Sequence, residues 1–139
     1  MADDVVLSKV ASLERCVARI REEHAGSDDN LFGNQTRQDS IILNLQRACE
    51  TAIDLAMHLV RLRRLGVPQE TRQAFEMLSE AGLLEAELAE RLKRMVGFRN
   101  VAVHDYRKLD LAIVRAIVTG HLEDFLSFAT TALRLTQVP

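Results

Sequence analysis

The sequence predicts an all-α bundle of four long helices and one short helix. Three observations carry that expectation. Apolar residues recur at three- and four-residue steps through nearly all of the 139 residues, the period that keeps side chains on one face of a helix. Six glycines and two prolines are too few for the many tight turns of an all-β fold. Aromatic residues make up 4% and tryptophan is absent, which argues against sheet surfaces that stack bases on exposed rings. With 47% hydrophobic residues, the length suits one domain, 1–139, around one core.

The first helix is expected over about residues 4–24, where Val6, Val10, Leu13, Val17 and Ile20 form a stripe. It should stop at Ala25-Gly26-Ser27, with Gly26 as the left-handed residue past the end. A loop follows through Gly33 and Asn34. Thr36-Arg37-Gln38-Asp39 has the form of a capping box, which makes Thr36 the expected start of a second helix over about 37–65. Its stripe is Ile42, Leu45, Cys49, Ile53, Ala56 and Val60, and Gly66 and Pro68 end it. Arg61, Arg63 and Arg64 in its last turn complement the helix dipole. Pro68 suits the first turn of the short third helix, which buries Phe75 and Leu78 and ends at Gly82. A fourth helix starts near Glu85 with Leu88, Leu92, Met95 and Val96, and the last spans about 109–135 with Leu111, Val114, Val118, Leu122, Phe125, Ala129 and Leu133.

Eighteen Lys and Arg against 20 Asp and Glu give a net charge of −2. That excludes a globally basic nucleic-acid binder and leaves room for a local basic patch. Met1 to Val6 has no basic or apolar signal region, and no run of about 18 apolar residues occurs, so a cytoplasmic protein without a membrane span is expected. Cys16 and Cys49 stand alone, with no Cys or His at zinc-ligand spacing. They read as small buried hydrophobes, and neither a metal nor another cofactor is expected.

One stretch carries chemistry. Between residues 91 and 108, six basic side chains (Arg91, Lys93, Arg94, Arg99, Arg107, Lys108) face a single acid, Asp105, a local charge of +5. The plainer account is a solvated helix face; the other is a field that gathers a phosphate-rich ligand. Within it lie Arg99, Asn100, His104 and Tyr106, the only tyrosine. A guanidinium forks onto a phosphate, and an imidazole moves a proton near neutrality. RNA supplies its own nucleophile, the 2′-OH, so a base and a cation would suffice to cut it without a metal. On a straight helix Arg99 and His104 point about 140° apart. Either the helix bends, with Gly97 as the weak point, or a second subunit completes the site. The plainer account of Arg99, His104 and Tyr106 is a surface Arg, a satisfied structural His and a packed Tyr; His24, His58 and His121 carry weaker signals, and none suggests a metal site.

Arg99-Asn100-x-x-x-His104-x-Tyr106 resembles the motif of the HEPN superfamily, in the form found in HepT toxins. The resemblance extends over nearly the whole chain: residues 13–20 are similar to the opening helix of that family, 38–49 to its second, and 95–100 to the lead-in to the motif. It implies an all-α HEPN-type helical bundle, acting as a metal-independent endoribonuclease homodimer in a type VII toxin–antitoxin system. By motif position, Arg99 and His104 are the catalytic residues and Asn100 the supporting polar residue. Tyr106 is the acceptor of AMP from a cognate MntA-like minimal nucleotidyltransferase antitoxin. Arg94, Arg107 and Lys108 are the basic candidates for contact with RNA. The alternative is a non-catalytic helical substrate-binding module that partners a minimal nucleotidyltransferase; such a module has no need of Arg99, His104 and Tyr106 together.

Overall fold

The computed structural model describes residues 3–136, and among them every regular element is helical. The order is α1 (Asp4–His24), α2 (Asp29–Phe32), α3 (Gln35–Leu62), α4 (Thr71–Glu80), α5 (Ala86–His104), a 3₁₀ turn (Tyr106–Lys108), α6 (Leu111–Gly120) and α7 (Leu122–Leu135). Helix α3 is the central post: α1, α2, α4, α5 and α7 all touch it. It buries Ile41, Ile42, Leu45, Ala48, Cys49, Ala52, Ile53, Leu55, Ala56, Leu59 and Val60. Those positions sweep more than a narrow stripe, as a helix packed on several sides requires. The α1 stripe predicted from sequence is buried in full, and Phe75 of α4 meets Phe128 of α7 edge-on with ring centroids 5.6 Å apart. Cys16 and Cys49 lie in this core as free thiols, and burial pushes both well above the usual thiol range. No helix among the described residues is long and apolar enough to cross a membrane.

Four expectations need correction. Helix α3 starts two residues early, because the Asn34 side chain, not Thr36, accepts the Arg37 amide at 3.0 Å. Both residues are chemically competent caps, and the extended backbone at Asn34 decides between them. The loop before it contains the one-turn helix α2, which exists to bury Leu31. Pro68 lies ahead of α4 rather than in its first turn, since Glu70 is the N-cap. Finally, the expected last helix is two. The chain breaks at His121, whose φ of −132° leaves the helical region, and the Asp110 carboxylate caps the first half by accepting the Ala112 amide at 2.9 Å. The ends of α1 and α4 behave as expected: Gly26 and Gly82 sit at φ of 73° and 74°, the left-handed region that a side chain disfavours.

Polar ties hold the loop ends onto the bundle. Asp28, just after α1, accepts a hydrogen bond from the Arg115 guanidinium on α6 and another interaction from His24 at 2.9 Å. Arg115 first, then His24, holds the Asp28 carboxyl below its usual range. A depressed carboxylate stabilises the fold above its unfolded pKa of about 3.9 and loses that contribution as pH falls through the folded value. Asp28→Asn is therefore expected to lower Tm at pH 7, and the deficit relative to the unsubstituted protein should shrink as acid protonates the carboxyl below the unfolded pKa of about 3.9. Thermal unfolding at pH 7 and in acid checks this; an equal deficit at both would rule out the ionic tie as its cause.

Candidate active site

The motif lies on the last two turns of α5 and the 3₁₀ turn that follows. Helix α5 runs without a break through His104, and its final bond is from the Asp105 amide to the Val101 carbonyl at 2.8 Å. Gly97 is not a break point. It lets α4 come close: a Cβ there would stand 3.1 Å from Arg72 Nη2, and Arg72 Nε donates to the Lys93 carbonyl at 3.3 Å. The uninterrupted helix therefore leaves Arg99 and His104 on different faces, about 140° apart.

Arg99 turns inward, near enough to Cys49 on α3 for its charge to act on that thiol. Its Nη1 donates to Asn100 Oδ1 at 3.1 Å. Its Nε is buried with no partner, the only side-chain polar atom in that condition among the described residues. An unpaired buried donor costs about 1–3 kcal/mol. His104 is exposed and makes no hydrogen bond among the described residues. Tyr106 begins the 3₁₀ turn, is 49% exposed, and donates from its hydroxyl to Asp39 Oδ1 on α3 at 3.3 Å. Burial, then the Asp39 charge and this bond, raise the phenol above its usual range. The structure thus joins Arg99 to Asn100 and Tyr106 to Asp39, and sets His104 in solvent between them along the chain.

The local positive charge is partly cancelled. Lys93 pairs with Glu76 at 2.8 Å and Glu90 at 3.0 Å, Arg91 with Asp124 at 3.0 Å, and Lys108 with Asp105 at 3.3 Å. Arg94, Arg99 and Arg107 have no carboxylate partner among the described residues. Arg94 and Lys108 line a separate groove of about 510 Å³ between α5 and α6, floored by Met95, Phe98 and Ile117. That groove contains none of Arg99, His104 or Tyr106, so it and the motif side chains occupy different faces of α5. Sequence reasoning placed Asp39 in a capping box and missed its contact with Tyr106; a pair 67 residues apart leaves no local signal. Among the described residues no group of three or more His, Cys, Asp or Glu side chains is placed to hold a metal ion.

Comparison with known proteins decides the family. The family model described as "Ribonuclease HepT-like" matches residues 13–132. This chain belongs to the HepT-like ribonuclease family. It is 45% identical over 126 residues to the mRNA nuclease HepT of Shewanella oneidensis, covering 91% of this chain and 94% of that one. Its fold superposes with a TM-score of 0.87 on a tri-AMPylated Shewanella oneidensis HEPN toxin solved in complex with an MNT antitoxin. That pair is 44% identical over 93% of this chain and 96% of the other. A second solved structure, a toxin–antitoxin with AMP-PNP, gives 0.85 at 44% identity over 94% and 98%. The HEPN-type bundle and the ribonuclease class expected from the motif are both correct.

Because His104 is exposed and unbonded, its removal should leave the fold intact. His104→Ala is expected to change unfolding free energy by no more than about 0.5 kcal/mol. Denaturant titration measures it, and a loss above about 1.5 kcal/mol would mean that His104 has a packing role.

Proposed function

We propose that this HepT-like ribonuclease is the toxin of a toxin–antitoxin pair, cutting RNA with Arg99 and His104 and silenced when AMP is attached to Tyr106. The observation that carries the catalytic part is the Arg99 guanidinium, tethered by Asn100 and holding a buried donor without a partner. A guanidinium with unused donors gains most when a phosphate arrives. The similarity to an mRNA nuclease favours messenger RNA as the first substrate to test.

The chemistry follows from the residue types. His104 takes the proton from the RNA 2′-OH, whose oxygen attacks the adjacent phosphorus. The bond to the 5′-oxygen breaks, that oxygen is reprotonated, and a 2′,3′-cyclic phosphate remains. Arg99 faces the charge that builds on the phosphorane. One copy cannot direct both groups at one phosphate when they diverge by about 140° on an unbroken helix. Two copies related by a two-fold axis can, with Arg99 of one and His104 of the other lining a shared cleft. Arg107 adds to the field at the cleft, and Arg94 and Lys108 guide the flanking RNA backbone along the neighbouring groove.

Control rests on Tyr106, half-exposed and the only tyrosine in the chain. The partner is a minimal nucleotidyltransferase antitoxin, in line with the antitoxin complexes of the related toxins. Each AMP adds bulk and a negative charge at a cleft that needs positive charge to hold RNA. Action in the cytoplasm, where RNA and ATP are both present, fits this pairing.

Arg99→Ala and His104→Ala should each lower cleavage by about 10²–10⁴-fold, with EDTA leaving the unsubstituted rate unchanged and the products ending in cyclic or 3′-phosphate. Full activity in His104→Ala, or 5′-phosphate products that vanish with EDTA, would replace this account with a metal-activated water.

Tyr106→Phe keeps the ring and removes the acceptor oxygen. Incubated with the nucleotidyltransferase and ATP, it should gain no AMP by intact mass and cut RNA at the same rate as without the partner, while the unsubstituted chain gains AMP and loses activity. Equal AMP uptake by Tyr106→Phe would move the acceptor to another residue.

A further inference from the structure

We propose that Asp39 holds the Tyr106 hydroxyl and takes its proton when AMP is transferred, a role that rests on Tyr106 being the acceptor. The carboxylate is free for this task because Asn34, not the capping box, satisfies the start of α3. Its Oδ1 instead receives two bonds, from Gln35 Nε2 at 2.8 Å and from the Tyr106 hydroxyl at 3.3 Å. Gln35 fixes the carboxylate from its own helix, and the carboxylate in turn fixes a phenol carried by the 3₁₀ turn after α5. No Lys or Arg forms an ion pair with Asp39 among the described residues. The other acid beside Tyr106, its chain neighbour Asp105, is paired with Lys108. Both partners are exposed, so a second enzyme carrying a nucleoside triphosphate can reach the oxygen.

The phenol needs such a group. Burial and the Asp39 charge keep it protonated well above neutral pH, and a neutral phenol is a poor nucleophile. In the transfer, the Tyr106 oxygen attacks the α-phosphorus of ATP and a new O–P bond forms. The bond from that phosphorus to the oxygen bridging to the β-phosphorus breaks, pyrophosphate leaves with the electron pair, and the phenol proton passes to Asp39 Oδ1. The proton moves along a hydrogen bond already present before the nucleotide arrives.

The test uses the full chain with its nucleotidyltransferase, ATP and magnesium, reading initial AMP incorporation by intact mass between pH 6 and pH 8.5. The charged groups near the pair in the chain are His104 at the end of α5, Asp105, Arg107 and Lys108 around the 3₁₀ turn, and on α3 Arg37, which is turned to the Glu23 carbonyl. All are shared by wild type and variant, so the difference between their profiles isolates Asp39. Asp39→Asn keeps size and an acceptor oxygen but removes the base. It should slow AMP uptake by about 10²–10⁴-fold and convert a flat profile into one rising about tenfold per pH unit, as hydroxide takes over the proton. Asp39→Glu should restore most of the rate and the flat profile. Incorporation into Asp39→Asn at the wild-type rate with an unchanged profile overturns the proposal. So does an equal loss at every pH in both variants, which would make Asp39 merely structural. AMP on Tyr106→Phe would overturn the acceptor assignment beneath it, an outcome distinct from either.

Discussion

The packing of five helices around α3 is the constraint on which the rest depends. A helix touched by several neighbours has to bury a wide apolar face, and the eleven buried side chains of α3 do so over an arc of about 160°. Its rotation and height are thereby fixed to within the tolerance of a close-packed core. Whatever α3 presents outside the core is fixed too. Near its start it presents Asp39 to the 3₁₀ turn, and further along it sets Cys49 opposite the inward-turned Arg99. The two halves of the motif, guanidinium and phenol, are thus positioned against one helix from a different part of the sequence.

Helix α5 then sets the character of the site. Because it continues through His104, its geometry separates Arg99 from His104, the cation and the base that the proposed chemistry needs together. The inward arginine carries an unpaired donor, and the outward histidine has no partner. Each is under-satisfied in the single chain, which is the condition in which substrate or a second copy gains most by binding. Ion pairs have already consumed Arg91, Lys93 and Lys108, so the free field comes from Arg94, Arg99 and Arg107. Pairs at exposed positions are weak enough for a polyanion to displace them.

Much of this was legible in the sequence, and the exceptions have physical causes. The stripes of α1, α3, α4 and α5 were readable because each packs one continuous face on a common core. The division at His121 was not, since Leu111, Val114, Val118, Leu122 and Phe125 keep helical spacing straight across it and periodicity cannot register a single non-helical residue. The cap at Asn34 was hidden by an equally plausible Thr36, two residues on. Arg99, Asn100, His104 and Tyr106 could be named from their motif, but the contact between Tyr106 and Asp39 could not. It arises only when α5 and α3 dock, and tertiary packing has no signature in local spacing.

In the proposed composite site, Arg99 of one copy works with His104 of another. Mixing Arg99→Ala with His104→Ala by co-expression tests it directly. Half the dimers formed at random carry one chain of each kind, and each of these retains one intact pairing of Arg99 and His104 across the two-fold axis. Two inactive proteins should therefore regain RNA cleavage together, at about a quarter of the wild-type rate. If the co-expressed mixture, shown by native mass to contain mixed dimers, stays as inactive as either variant alone, the two residues do not act across the interface and the composite site is wrong.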